Sequence, residues 1–277
     1  MGYRCKIAIM SKLPETTSRR GPKGYRADYT NERCFDPVFC RTLFFTFTQK
    51  SRMSLVSVLE ALPEFSPVIL TGQPFKKLDF TAANTDLPGI DLTDTEQFAD
   101  YVFGTLLENG RFIGVGGYNE HRVIYRRSAH FGDYAEEGRC IHLGVDIWAA
   151  AGTPVYAPLP GVVHSLAFND HFGDYGPTII LQHTLDGHTF HSLYGHLSLD
   201  SLAGVQEGME IAAGAQVATI GDFPENGHWP PHLHFQLMES MGDLRGDYPG
   251  VASLAERTAY LSNCPDPNLI LRLPELN

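Results

Sequence analysis

Short apolar runs separated by turn residues dominate the second half of the chain. Pro154–Pro158, Gly161–Phe168, Thr178–Thr184 and Thr189–Leu197 each read as β, and Gly, Pro, Asn and Asp divide them. Asp186-Gly187 is a hairpin signal between the third and fourth runs. Gly208, Gly214 and Gly221 space Met209–Ala212 and Ala215–Ile220 in the same way. The first half is different. Leu55–Leu62 predicts a short helix stopped by Pro63, and Pro67–Leu70 predicts a strand. A loop rich in Asp, Thr and Pro is expected up to Asp91. Thr93-Asp94-Thr95-Glu96 then offers helix-capping chemistry. Phe98, Tyr101, Val102, Thr105 and Leu106 follow at helical spacing, and Asn109-Gly110 is a stop. Arg111–Gly117 reads as a strand entering a glycine turn, and Ala252–Leu261 as a further helix. The pattern predicts a mainly β protein: an antiparallel β-sandwich or groove core with a few appended α-helices.

Within that core, Ile141–Trp148 carries an imidazole and a carboxylate four residues apart, with Gly144 between them. In one extended strand His142 and Asp146 project to the same face. Downstream, His232 and His234 lie two apart in another strand-like run, and His196 sits between in Leu193–Leu197. Four histidines and one aspartate in three β segments suit a catalytic zinc site. Such zinc takes three N or O ligands and keeps a fourth position for a water whose pKa falls to about 7. A nearby His then shuttles the proton or stabilises the oxyanion. The chain has twelve His. An isolated H-x-H pair is therefore weak, and the ordered combination carries the signal.

The three segments resemble those of the lysostaphin-type zinc metalloendopeptidases, which cut peptide cross-links in bacterial cell walls. The pattern H-x-x-x-D, Y-x-H-L, H-x-H appears as HLGVD at 142–146, YGHL at 194–197 and HLHF at 232–235. The flanks Ala150–Pro158 and Gly161-Val162-Val163 are similar too. The resemblance covers 140–240. It implies a small β-sandwich with one Zn²⁺ at the edge of a groove, held by His142, Asp146 and His234. It also implies catalytic roles for His196 and His232, as proton shuttle and oxyanion stabiliser. No position of the set is missing, which argues against a non-catalytic copy.

The surroundings are less specific. Asp174, Asn226 and Gln236 are candidate partners for the far nitrogens of the site histidines. Tyr118–Arg122 and Tyr125–Arg127 suit either a groove lining or a solvated loop. His228 is a candidate for the groove rim. His164, His183, His188 and His191 read as surface or structural. Cys140 reads as a buried free thiol.

Composition then limits the setting. Residues 1–52 hold eleven Lys/Arg against four Asp/Glu, a local charge of +7; the remainder holds ten against twenty-eight, −18. The leader shows no clear period. It is expected to be disordered, or upstream sequence joined by a misassigned start, with Met53 opening the native chain. Residues 53–135 form an extension packed on the core, 136–245 the zinc-peptidase core and 246–277 a C-terminal extension. Five irregularly spaced Cys give no disulfide framework or zinc knuckle. With no apparent signal peptide or membrane-length apolar run, the expected location is cytoplasmic, or the cell envelope if the true start differs. An anionic wall also suits a basic enzyme better than an acidic one. The resemblance nonetheless implies peptidoglycan cross-links or short peptides as substrates. The alternatives are a cytoplasmic metal-dependent amide hydrolase acting on a small metabolite, and a zinc-containing binding module without turnover. No nucleic-acid partner is expected, and oligomeric state is left open.

Overall fold

The computed structural model describes residues 53–132 and 138–277. The expectations for 1–52 lie outside the described residues. The fold is mainly β. An eight-stranded sheet runs in the order β1 (Phe75–Lys77), β2 (Ile113–Gly116), β4 (Val145–Trp148), β11 (Leu233–Met238), β8 (His188–Gly195), β7 (Gly176–Leu185), β6 (Gly161–Asn169) and β9 (Glu210–Ile211). Two small sheets accompany it: β5 (Pro154–Tyr156) with β10 (Gln216–Thr219), and β3 (Ile141–His142) with β12 (Val251–Ala252). The pairings are antiparallel except for β1 on β2, which is parallel. The β7–β8 hairpin turns at Asp186-Gly187, both at positive φ, as an Asp-Gly two-residue turn requires.

Strand alternation sorts the site from the core. Leu233, Phe235 and Leu237 of β11 and Val145 and Ile147 of β4 enter one apolar cluster with Ile179, Leu181, Phe190 and Tyr194. The intervening residues, His234 and Gln236 on β11 and Asp146 and Trp148 on β4, are thereby sent to the other face. Helix α1 (Leu55–Ala61), capped by Ser54, closes the first cluster with Leu55 and Leu59.

The N-terminal extension differs from its expected form in three places. Of Pro67–Leu70, only Ile69 bridges a strand, at Val155. Strand β1 lies inside the stretch expected as a loop. The helix capped by Asp94 is α-helical over Thr95–Ala99 (α2) and continues as a π-helix over Asp100–Leu106. In that continuation Leu107 N–H donates to Val102 O and Asn109 N–H to Gly104 O, each five residues back. Phe98, Tyr101 and Val102 remain buried, in a second apolar cluster with Phe80, Trp148 and Trp229. The helix expected over Ala252–Leu261 is α3 (Arg257–Asn263), beginning five residues later.

Candidate metal centre

His142 and Asp146 do not share one strand. His142 closes β3, where it pairs with Val251; Asp146 lies in β4, opposite both Gly116 and His234. The chain steps between sheets at Leu143-Gly144 because β11 crosses there. A Cβ on Gly144 would stand 2.6 and 2.7 Å from ring atoms of His234 and 2.8 Å from Phe235 O. Glycine lets β11 approach closely enough to bring its imidazole beside the other two groups.

The result is a triangle of donor atoms. His142 Nε2 is 3.0 Å from His234 Nδ1, and Asp146 Oδ1 is 3.1 Å from each nitrogen. A tetrahedral ion with bonds of about 2.0–2.1 Å has ligand–ligand edges of about 3.3 Å, so the triangle is close to one face of such a site. It is the one His/Cys/Asp/Glu group of metal-binding geometry among the described residues. Its members are 1, 3 and 3 % exposed.

The outward atoms decide what the inward atoms are. His142 Nδ1–H donates to Gly117 O at 3.0 Å, and His234 Nε2–H donates to Gln236 Oε1 at 2.8 Å. In the neutral rings the inward nitrogens are then lone pairs. Asp146 Oδ2 accepts from the Arg122 guanidinium, leaving Oδ1 facing inward. Burial pushes His142 down to about 3, assisted by Arg122 and opposed by Asp146. Burial works to raise the Asp146 pKa, but the Arg122 guanidinium beside it holds it well below the usual carboxylate range. Three electron-rich atoms face one another with no hydrogen between them. That arrangement is repulsive until a cation sits among them.

Beside the triangle, His196 and His232 have ring centroids 4.2 Å apart. His196 follows β8 in the left-handed region, φ 61°, a strained conformation for a non-glycine residue. Its Nδ1–H donates to Asn226 O at 2.8 Å, and His232 Nδ1–H donates to Pro230 O at 2.7 Å. Each therefore keeps Nε2 as an acceptor. Burial pushes both down, His196 well below the ordinary histidine range and His232 to about 4. The indole of Trp148 stacks on His232 at 4.0 Å and 17°.

Residues 140–245 match peptidase family M23. This segment is an M23 domain. The chain is also 32% identical over 126 residues to an uncharacterized metalloprotease of Haemophilus influenzae, a match covering 43% of this chain and 24% of that protein. It is 32% identical over 135 residues to the DD-carboxypeptidase/endopeptidase Mpg of Neisseria meningitidis, covering 47% and 28%. The matched part thus spans about a quarter of the length of each of these relatives. Among solved structures, the catalytic domain of lysostaphin from Staphylococcus simulans aligns at 25% identity over 44% of this chain and 80% of that chain, with a TM-score of 0.31.

The M23 domain does not enclose its centre alone. Gly117, Arg122, Tyr125 and Phe131 precede the matched segment. Arg122, Tyr125 and Phe131 wall a pocket that also reaches Tyr175, Trp229 and the five site residues. Tyr125 and Phe131 lie 4.6 Å apart with their rings tilted by 40°, and each meets Trp229 edge-on at 6.3 Å. Of the stretches Tyr118–Arg122 and Tyr125–Arg127, Arg122 and Tyr125 line this pocket. Arg127 lies buried against Trp229 at 4.5 Å, while Arg126 is exposed. Among the candidate supporting residues, Gln236 engages His234, and Asn226 engages His196 through its backbone carbonyl. Asp174 accepts the Tyr175 N–H at 2.8 Å and bonds no site histidine. His228 does not line the pocket; its carbonyl accepts from Arg127 and Thr95. Cys140 is a buried free thiol.

Proposed function

We propose that this chain is a zinc-dependent metallopeptidase that hydrolyses amide bonds of peptidoglycan cross-links or short peptides. One Zn²⁺ per chain is held by His142, Asp146 and His234, with His196 and His232 as the catalytic pair. The inward-facing lone pairs of the triangle carry this reading. When bound, zinc supplies a Lewis acid and a water whose pKa falls to about 7. His196 and His232, neutral and tethered through Nδ1 to backbone carbonyls, each present Nε2 to the pocket. Either accepts a proton from water there. The resulting imidazolium donates it to the departing amine or to the carbonyl oxygen as charge develops. The carbonyl tethers keep the rings from turning as they change charge. In this reading 136–245 is the catalytic core, 53–135 an extension packed on it and 246–277 a C-terminal extension.

The name of the Neisseria relative supports a peptidoglycan peptide as substrate, and the aromatic walls suit a short peptide arm. A small cytoplasmic amide is the second reading, favoured by the deep burial of the reacting groups and the −18 charge beyond residue 52. No helix among the described residues is long and apolar enough to cross a membrane.

Zinc-loaded protein incubated with purified muropeptides distinguishes these readings. Cleavage that disappears in His232→Ala while zinc is retained supports the peptidase. Intact zinc with no cleavage shifts the substrate to a small amide, or the protein to a binding role.

A further inference from the structure

Arg122 lies outside the family-matched segment, yet it reaches the metal centre. Its guanidinium is 1 % exposed. Nη1 donates to Asp146 Oδ2, and Nε donates to Glu120 Oε2 at 2.7 Å. The backbone holds it there. Arg122 N–H donates to Cys140 O at 2.9 Å, and His121 bridges Ile141, the residue before His142. On the other side, β2 pairs Gly116 with Asp146. Gly116 has no room for a side chain, because a Cβ would stand 2.7 Å from Arg122 Nη2. The Phe80 ring lies 5.7 Å from the guanidinium carbon. The same turn supplies Gly117 O, which fixes the His142 ring.

We infer that Arg122 is a positioning residue that keeps the metal site assembled when no metal is bound, by standing as the permanent counter-cation of Asp146. Neither histidine fills that role, since each spends its N–H on Gly117 or Gln236 and turns a lone pair toward the carboxylate. The guanidinium also occupies Oδ2. One carboxylate oxygen is therefore left for the histidine pair, and Asp146 is limited to a single-oxygen contact with any ion bound there. Residues 113–122 accordingly belong to the centre as much as β4 and β11 do. The inference rests on the metal-site reading proposed above.

The test is thermal unfolding of the full chain, with zinc and after chelation, for wild type, Arg122→Met and the double variant Arg122→Met/Asp146→Asn. Loss of the guanidinium leaves a buried, unpaired carboxylate. The metal-free Arg122→Met protein is therefore expected to melt roughly 10 °C below metal-free wild type. Zinc, which brings positive charge to the same carboxylate, is expected to recover most of that deficit, so the zinc-induced shift is larger in Arg122→Met than in wild type. Asp146→Asn removes the charge and is expected to raise the metal-free melting point of Arg122→Met, or to restore folding if that single variant is unfolded. Arg122→Lys, which keeps the charge, is expected to fall between. An equal deficit with and without zinc, or a double variant no more stable than Arg122→Met, overturns the inference. A wild type that shows no zinc-induced shift sinks the metal reading instead, while the double variant still reports on the Arg122–Asp146 pair.

Discussion

Two groups of histidines lie on or beside the large sheet, and their surroundings differ. His183 on β7 donates or accepts at both ends, Nδ1 with Pro160 O at 2.8 Å and Nε2 with Ser192 Oγ at 2.7 Å. Its neighbour His191 faces His164, with centroids 5.0 Å apart, and no carboxylate joins them in metal-binding geometry. In the other group, His142, His196, His232 and His234 each have one nitrogen tied by a carbonyl or amide oxygen. The second is left facing another acceptor or the pocket. Burial alone does not separate the groups, because His183 and His142 are both almost completely enclosed. A buried imidazole with both ends satisfied is structural. A single tethered end does not by itself mark a site, since buried His191 also leaves Nδ1 without a hydrogen-bond partner; the convergence of such ends on Asp146 is what prepares the second group for an ion.

The largest expected effect on this contrast comes from His142→Ala, which removes one corner of the triangle. Zinc is expected to be lost on dialysis and turnover with it, as read by metal analysis alongside a peptide-cleavage assay. Next is His196→Ala. Zinc content is expected to stay at wild-type level while kcat falls by about 10²–10⁴-fold, the usual worth of a general acid–base group. Retained turnover would place the proton transfer elsewhere.

The metal triangle and the catalytic pair were legible because they sit at fixed short spacings in β-prone runs. Much of what supports them was not legible. Gly117 O, Asn226 O and Pro230 O are backbone groups, so no residue type advertises them. Arg122 meets Asp146 across 24 positions through a strand pairing that periodicity does not specify. The step at Gly144 was hidden for a related reason. H-x-x-x-D reads as one strand until β11 claims the space beside the glycine. The π-helical continuation after Ala99 has a 3.6-like apolar pattern and differs only in which carbonyls its N–H groups reach.

Gln236 was legible by position, and its role permits a finer test. Gln236→Leu leaves the His234 Nε2–H without its acceptor and frees the ring to change tautomer. Zinc affinity, measured by chelator competition, is expected to fall by roughly 10–100-fold. An unchanged affinity would mean that packing alone orients the ring.

The smallest effect on zinc is expected from the other histidine group. Burial, reinforced by His164 and His183, pushes His191 down to about 4 from an ordinary value of 6.5. The unfolded chain therefore binds a proton in this window that the fold refuses, and stability falls as pH drops from 6.5 toward 4. His191→Phe is expected to make that acid decline shallower in urea titrations across the window, with zinc content unchanged. An unaltered slope would show that His191 does not titrate in the unfolding reaction.

Zinc K-edge absorption spectroscopy of the zinc-loaded full chain is the most direct check on the convergence of His142, Asp146 and His234. The expected spectrum has one ion per chain, two imidazole nitrogens and one carboxylate oxygen at about 2.0–2.2 Å, a further light ligand from solvent, and no sulfur. Sulfur in the shell, a single imidazole, or failure to take up stoichiometric zinc would contradict it.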